Sequence, residues 1–424
     1  MGTLPRMFRV RQNFAHTTIT DVPGEVRRAL EDIRPSLRLR PGATVAVGVG
    51  SRGVTNIAAI AGAVCNTLKE FGAEPFIFPA MGSHGGATAE GQRQILAHYG
   101  VTEEAMGVPI KSSLEVITLG KTSDGVHVYL DRNASEADFI LPINRIKPHT
   151  DFKGEHESGL IKMMAVGFGK YNGAIEYHRA AFHLGYPRVF RSATEIVLSS
   201  GRVLCGVAIL ENARHETARI VALTPDRLIE QEIELLKEAK RMMPRLPCHQ
   251  IDLLIIDEIG KDISGTGMDT NITGRGVNGY ITGTPVFEGA PGITRILVCD
   301  LTEASGGNGI GIGMADFTTA RFMKKLDLRA TIVNGLTALT PNNAKIPVCF
   351  DTDREAIEVG LKTAGVEDLR VGRVVRIKNT LTLGELEMSE SYLGEIKSRT
   401  DLSIISDLYE IQFDESGNLL PQEQ

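Results

Sequence analysis

What the chain lacks narrows its chemistry before any motif is read. Tryptophan is absent, aromatic residues make up only 5% of the sequence, and no apolar run reaches the roughly 18 residues that a membrane-crossing helix needs. The opening segment M-G-T-L-P-R-M-F-R-V-R has no apolar core of the kind a secretory signal requires. It also places Arg6 where a myristoylation site needs Ser or Thr. Positive charge is not in excess: the net charge is −6 and the isoelectric point about 6.0, without a basic block, which argues against a nucleic-acid partner. Cysteine is sparse. Cys65, Cys205, Cys248, Cys299 and Cys349 are odd in number, widely spaced and mostly set in apolar runs, the usage of a reducing cytoplasm. None forms a C-x-x-C pair, so any metal must rely on histidine or on a carried cofactor.

What is present is ordinary globular material with room for two or three domains: 424 residues, 42% hydrophobic, with 45 glycines that suit an α/β protein. Thr44 to Gly50 reads as a buried strand, a sharp turn follows at Ser51-Arg52-Gly53, a helix is expected from Thr55 to Phe71, and a second strand from Glu74 to Pro79. This β-α-β unit carries Gly48-x-Gly50-x-x-Gly53 at the junction that a dinucleotide fingerprint demands. The second strand lacks the acidic residue that should hold a ribose. A nicotinamide-dependent dehydrogenase and glycines that merely let a tight crossover pack are therefore both open. Arg52, next to a helix N-terminus, suits a carboxylate or phosphate. His84 falls at the carboxyl end of the second strand among glycines, in the same layer as Arg52, where a ligand is expected more readily than an idle loop histidine.

Chemistry concentrates between Asn144 and His183. Four of the ten histidines and four lysines fall in these forty residues, after the strand-like run Ala137 to Ile143. Pro148 holds its neighbours extended, and Ser158-Gly159 open an apolar helix or turn from Leu160 to Val166. A strand, a polar loop and a buried helix in that order present loop side chains to a ligand. The zinc-protease pattern fails at Leu160 and the phosphate-loop pattern at Met164 and Tyr171. Lys162, taken alone, is a stem lying across apolar surface; its company points elsewhere.

The order G-S-R-G, G-S-H-G, K-P-H-T, E-S-G-L-I-K and E-Y-H resembles the nickel-pincer-nucleotide-dependent lactate racemase family over about the first 180 residues. The resemblance implies a cofactor lysine at Lys162, in the Ser158-Gly159 context, and a nickel-ligating histidine at His178. It also implies acid/base histidines at His84 and His149 and a substrate-facing arginine at Arg52. Inverting a 2-hydroxy acid suits such a set: a base takes the hydroxyl proton while a cofactor takes and returns hydride, and each enantiomer needs its own base. Neutral imidazole suits nickel, and a desolvated lysine amine suits covalent attachment. His156 and His183 have no matching role and read as loop or helix-surface residues. The departures, Val49, Gly85 and Gly86, and Thr273, Gly274 and Val277 with Arg275 in place of a lysine, widen the expected substrate from lactate itself to a 2-hydroxy acid that is lactate-like or larger.

Beyond His183, helices are expected at Pro187–Leu198 and Pro225–Met242, with strands at Val203–Leu210, from Ile251, and at Ile296–Asp300. A glycine-rich run, Gly306–Met314, reads as a mobile loop at an interdomain cleft, and a helix is expected over Phe317–Leu326. The expectation is therefore two α/β domains with mainly parallel sheets and the active site in the cleft between them. Residues 1–247 would form the cofactor domain and 248–424 the second, with the tail from about 400 returning to the first. The function expected is that of a cytoplasmic racemase or epimerase of a small 2-hydroxy acid. Its nickel-pincer nucleotide would be supplied by separate biosynthetic enzymes. A non-catalytic nickel- or nucleotide-binding homologue is the alternative outside enzymology, and a homo-oligomer is left open.

Overall fold

The computed structural model describes residues 3–14, 17–51, 53–277 and 287–422. Chain contacts divide it into two compact units, His16–Met243 and Met1–Ala15 with Pro244–Gln424. Its strands run β1 (Arg6–Gln12), β2 (Thr44–Val49), β3 (Glu74–Pro79), β4 (Val116–Lys121), β5 (His127–Asp131), β6 (Phe139–Arg145), β7 (Gly206–Glu211) and β8 (Thr217–Leu223) in the first 243 residues. The helices that matter to the site are α1 (Val22–Ile33), α2 (Ile57–Glu70), α3 (Ala89–His98), α4 (Leu160–Lys162), α5 (Lys170–Leu184), α6 (Tyr186–Ser199) and α7 (Leu228–Met242).

The sheet of the 16–243 unit has the order β3-β2-β6-β7-β8, parallel except for the β7–β8 pair. Its strands lack polar alternation because both faces are covered. Val45, Val47 and Val49 face a core shared with Val26 and Leu30 of α1 and Ile60, Val64 and Leu68 of α2. Ala46 and Ile140 face the opposite core, filled by Ile161, Met164, Phe168, Tyr177, Phe190 and Leu235. β5 lies outside this sheet and forms an antiparallel ribbon with β4. Sequence patterning missed β4, β8 and α1.

In the other unit, β9 (Gln250–Ile259), β10 (Gly292–Leu301), β11 (Phe317–Thr319), β12 (Val348–Phe350) and β13 (Val374–Ile377) are parallel. β14 (Glu385–Ser389), β15 (Leu402–Ile404) and β16 (Tyr409–Glu410) complete the sheet with β1. The tail does run back to the start of the chain, but what it pairs with is β1, which itself belongs to the C-terminal unit. Where a helix was expected from Phe317, three residues first form β11 and the helix spans only Ala320–Lys325. The Gly306–Met314 run is also corrected. Ile310 and Ile312 are buried, and a Cβ on Gly311 would sit 2.3 Å from the Thr266 carbonyl oxygen, so the glycines serve close packing of two loops.

Candidate functional site

Chain order makes the site. The strands run from β2 outward to β3 and then return to the other side of β2 as β6, so the loops leaving the carboxyl ends of β2 and β6 diverge. A switch point of this kind opens a crevice that takes ligands. The loop after β6 is tied down twice: Lys147 and Ser158 exchange backbone hydrogen bonds at 2.9 and 3.1 Å, and Asn144 Nδ2 donates to the Gly159 carbonyl at 2.7 Å. Within that loop His149 is held by its own backbone, whose N–H donates to Glu157 Oε2 at 2.7 Å. Lys153 bridges the His149 carbonyl and the same carboxylate.

The His149 ring meets Lys162. Its Nε2 lies 2.7 Å from Lys162 Nζ, while the Asp151 N–H donates to its Nδ1 at 3.0 Å. An imidazole that accepts at Nδ1 carries its proton on Nε2, which leaves the lysine amine as the acceptor, in its uncharged form. The His149 ring also stacks on Phe152 at 4.2 Å, and Phe152 on Tyr186 at 4.8 Å. Tyr186 stands edge-on to His178 at 5.6 Å, with its hydroxyl 2.9 Å from His178 Nδ1. One continuous network thus joins His149, Lys162 and His178. Desolvation pulls His178 below the ordinary histidine range, and any charge on Lys162 adds to this. Burial raises the Asp151 carboxyl and the Tyr186 phenol, the second reinforced by Asp151.

Lys162 closes α4, a single turn that continues into a widened π-helical turn, Met163–Gly167, where the Phe168 N–H reaches back to the Met163 carbonyl. Such turns recur at functional sites. The start of α4 is capped from a distance: Glu232 on α7 accepts from the N–H groups of Leu160 at 2.7 Å and Ile161 at 3.1 Å. A Cβ on Gly159 would sit 2.4 Å from Glu232 Oε1, so the glycine makes room for this cap. Ser158 contributes its backbone to the bridge with Lys147.

His84 leaves the carboxyl end of β3 at the same edge of the sheet, with Nδ1 2.6 Å from Ser51 Oγ. Its loop lies against the segment that follows Lys162: a Cβ on Gly82 would be 3.1 Å from both Val166 and Ala174. Arg52 lies outside the described residues. The fingerprint glycines have a packing explanation, since a Cβ on Gly48 would stand 3.2 Å from Phe168 and one on Gly50 3.0 Å from Met163. His183 is exposed on α5, as expected, but His156 is buried rather than on the surface, and neither of its ring nitrogens has a hydrogen-bond partner among the described residues. In the other unit, Arg275 is committed to Asp316 at 2.9 Å and to the Ile293 and Thr294 carbonyls, and Thr273 and Val277 are buried, so these positions are structural.

Among the described residues no cluster of three or more His, Cys, Asp or Glu side chains could hold a metal ion, and no helix is long and apolar enough to cross a membrane. Sequence reasoning did not single out Asp151, Phe152, Tyr186 or Glu232. The signal for Glu232 was available: it interrupts the buried stripe of Leu228, Leu235, Leu236 and Ala239 on an amphipathic helix.

Comparison with known proteins adds a likeness. Residues 26–185 match the lactate racemase N-terminal domain, and no curated protein matches the chain. Among solved structures, the lactate racemase apoprotein from Thermoanaerobacterium thermosaccharolyticum superposes with a TM-score of 0.51 at 13% identity, over 87% of this chain and 94% of that one. A structural-genomics protein from Thermotoga maritima gives 0.47 at 13% identity, over 76% and 82%. Residues 26–185 are therefore similar to the lactate racemase N-terminal domain, within a chain whose α/β fold is similar to that of a lactate racemase.

Proposed function

We propose that the protein is a racemase or epimerase of a small 2-hydroxy acid that works with a nickel-pincer nucleotide. The observation that carries this reading is the network joining His149, Lys162 and His178. Its donor set fits the cofactor. One imidazole and one uncharged amine suit a metal that arrives already held by an organic ligand. Lys162 would hold the group through its amine. His178 would bind nickel through Nε2, because Tyr186 engages Nδ1. When bound, the cofactor supplies a hydride acceptor that can return hydride to either face of a flat keto acid.

The chain's own residues handle the protons. His149 can exchange a proton at Nε2, and its backbone contacts and the Phe152 stack fix the ring's direction. His84, steadied at Nδ1 by Ser51, would serve the other enantiomer as acid and base. Arg52 is assigned to the carboxylate of a substrate that is lactate-like or larger.

The test is co-expression with the cofactor's biosynthetic enzymes, followed by nickel analysis, intact mass and chiral analysis of a panel of 2-hydroxy acids. His178→Ala should lose nickel. His84→Ala and His149→Ala should keep it and lose racemisation. Undiminished racemisation in either base variant would overturn the assignment.

A further inference from the structure

Gln92 lies on α3 and is fully buried. Its Nε2 amide faces three carbonyl oxygens of the segment leading to His84: Gly82 at 2.9 Å, Met81 at 3.3 Å and His84 itself at 3.5 Å. A side-chain amide can point either way, and here a second residue decides. Lys170 Nζ donates to Gln92 Oε1 at 2.6 Å and to the Pro79 carbonyl at 2.7 Å, with Asp131 Oδ2 at 3.6 Å. An ammonium has only donors, so it locks the oxygen of Gln92 toward itself and the N–H groups toward the loop.

The loop needs such a hold. Gly85, Gly86 and Ala87, immediately after His84, all have positive φ, at 66°, 64° and 53°. Ala87 is a residue type that rarely stays there unless its surroundings over-determine it. Lys170 also has positive φ, at 52°, and is fully buried, so the brace is itself made at a conformational cost.

We propose that Gln92, oriented by Lys170, is a positioning residue that sets the direction of His84. This rests on the reading of His84 as an acid/base group, but the geometry can be tested without it. In the cofactor-free protein, Gln92→Glu keeps an oxygen for Lys170 and turns the other toward three carbonyl oxygens, so it should repel the loop without emptying the core. Gln92→Leu removes both contacts at similar volume.

The measurements are amide hydrogen exchange over residues 80–88 and the ring ¹⁵N spectrum of His84. Exchange should rise about tenfold or more in both variants, as expected for losing one or two buried hydrogen bonds. The His84 signals should move from one tautomer held by Ser51 toward an average. In the loaded enzyme Gln92→Glu should lower kcat with KM kept within about twofold. Unchanged loop exchange and an unchanged His84 spectrum in both variants would overturn the brace. A wild-type enzyme that racemises nothing, with the exchange and spectral changes still present, would overturn only the functional reading of His84.

Discussion

Lys162 Nζ and His149 Nε2 share a 2.7 Å contact in which the lysine can only be the acceptor, because the Asp151 N–H already occupies His149 Nδ1. An uncharged lysine amine is a nucleophile, and nearly all surface lysines are charged at neutral pH. Brief exposure of the cofactor-free protein to an amine-directed ester near pH 7 should therefore label Lys162 about tenfold faster than an exposed lysine such as Lys237. Peptide mass spectrometry reads the ratio. Labelling no faster than at Lys237 would mean that the amine is protonated and the tautomer assignment is wrong.

The Tyr186 hydroxyl bonds His178 Nδ1 at 2.9 Å, while its ring stacks on Phe152. Tyr186→Phe separates the two roles. Stability should change by about 1 kcal/mol or less, the ordinary worth of one hydrogen bond. Nickel retention in the loaded protein should weaken about tenfold or more, as losing the partner of a metal-bound histidine does. The ring ¹⁵N spectrum of His178 in cofactor-free protein is a second readout, since the tyrosine selects the tautomer. Nickel content and spectrum both equal to wild type would leave Tyr186 as packing alone.

Local pattern carried the elements far better than it carried their contacts. Unbroken apolar runs such as Thr44–Gly50 are legible because a strand covered on both faces has no polar position to vary. β4 is not legible, since V-I-T-L-G-K is largely half-exposed on a two-stranded ribbon. Helix α1, with only Val22, Val26 and Leu30 buried, offers too short an apolar stripe. At the site, His149, Lys162 and His178 were visible as residue types crowded into one stretch. The braces behind them were not: Gln92 lies 78 residues from Lys170 and Glu232 lies 72 from Leu160, and only the sheet's topology brings each pair together. The misreading of Arg275 has the same origin, because its partner Asp316 is brought close by pairing of β10 with β11.

Glu232 is a buried acid whose hydrogen-bond donors are the Leu160 and Ile161 N–H groups, and burial outweighs them, pushing its carboxyl from 4.5 up to about 7. The folded chain therefore keeps a proton that the unfolded chain releases across this window. The stability it contributes is full below about pH 4.5 and is lost as pH rises through about 7, a loss of about 3 kcal/mol once the group is ionised. Glu232→Gln removes the titration and keeps an oxygen for the Leu160 N–H. Urea melts of both proteins should show the variant gaining on wild type by about 3 kcal/mol, accruing steadily between about pH 4.5 and 7 and levelling off above that. A difference that stays flat across that range would mean that the carboxyl ionises at its ordinary value. The turn carrying Lys162 would then be capped by a full negative charge at every pH at which the protein folds.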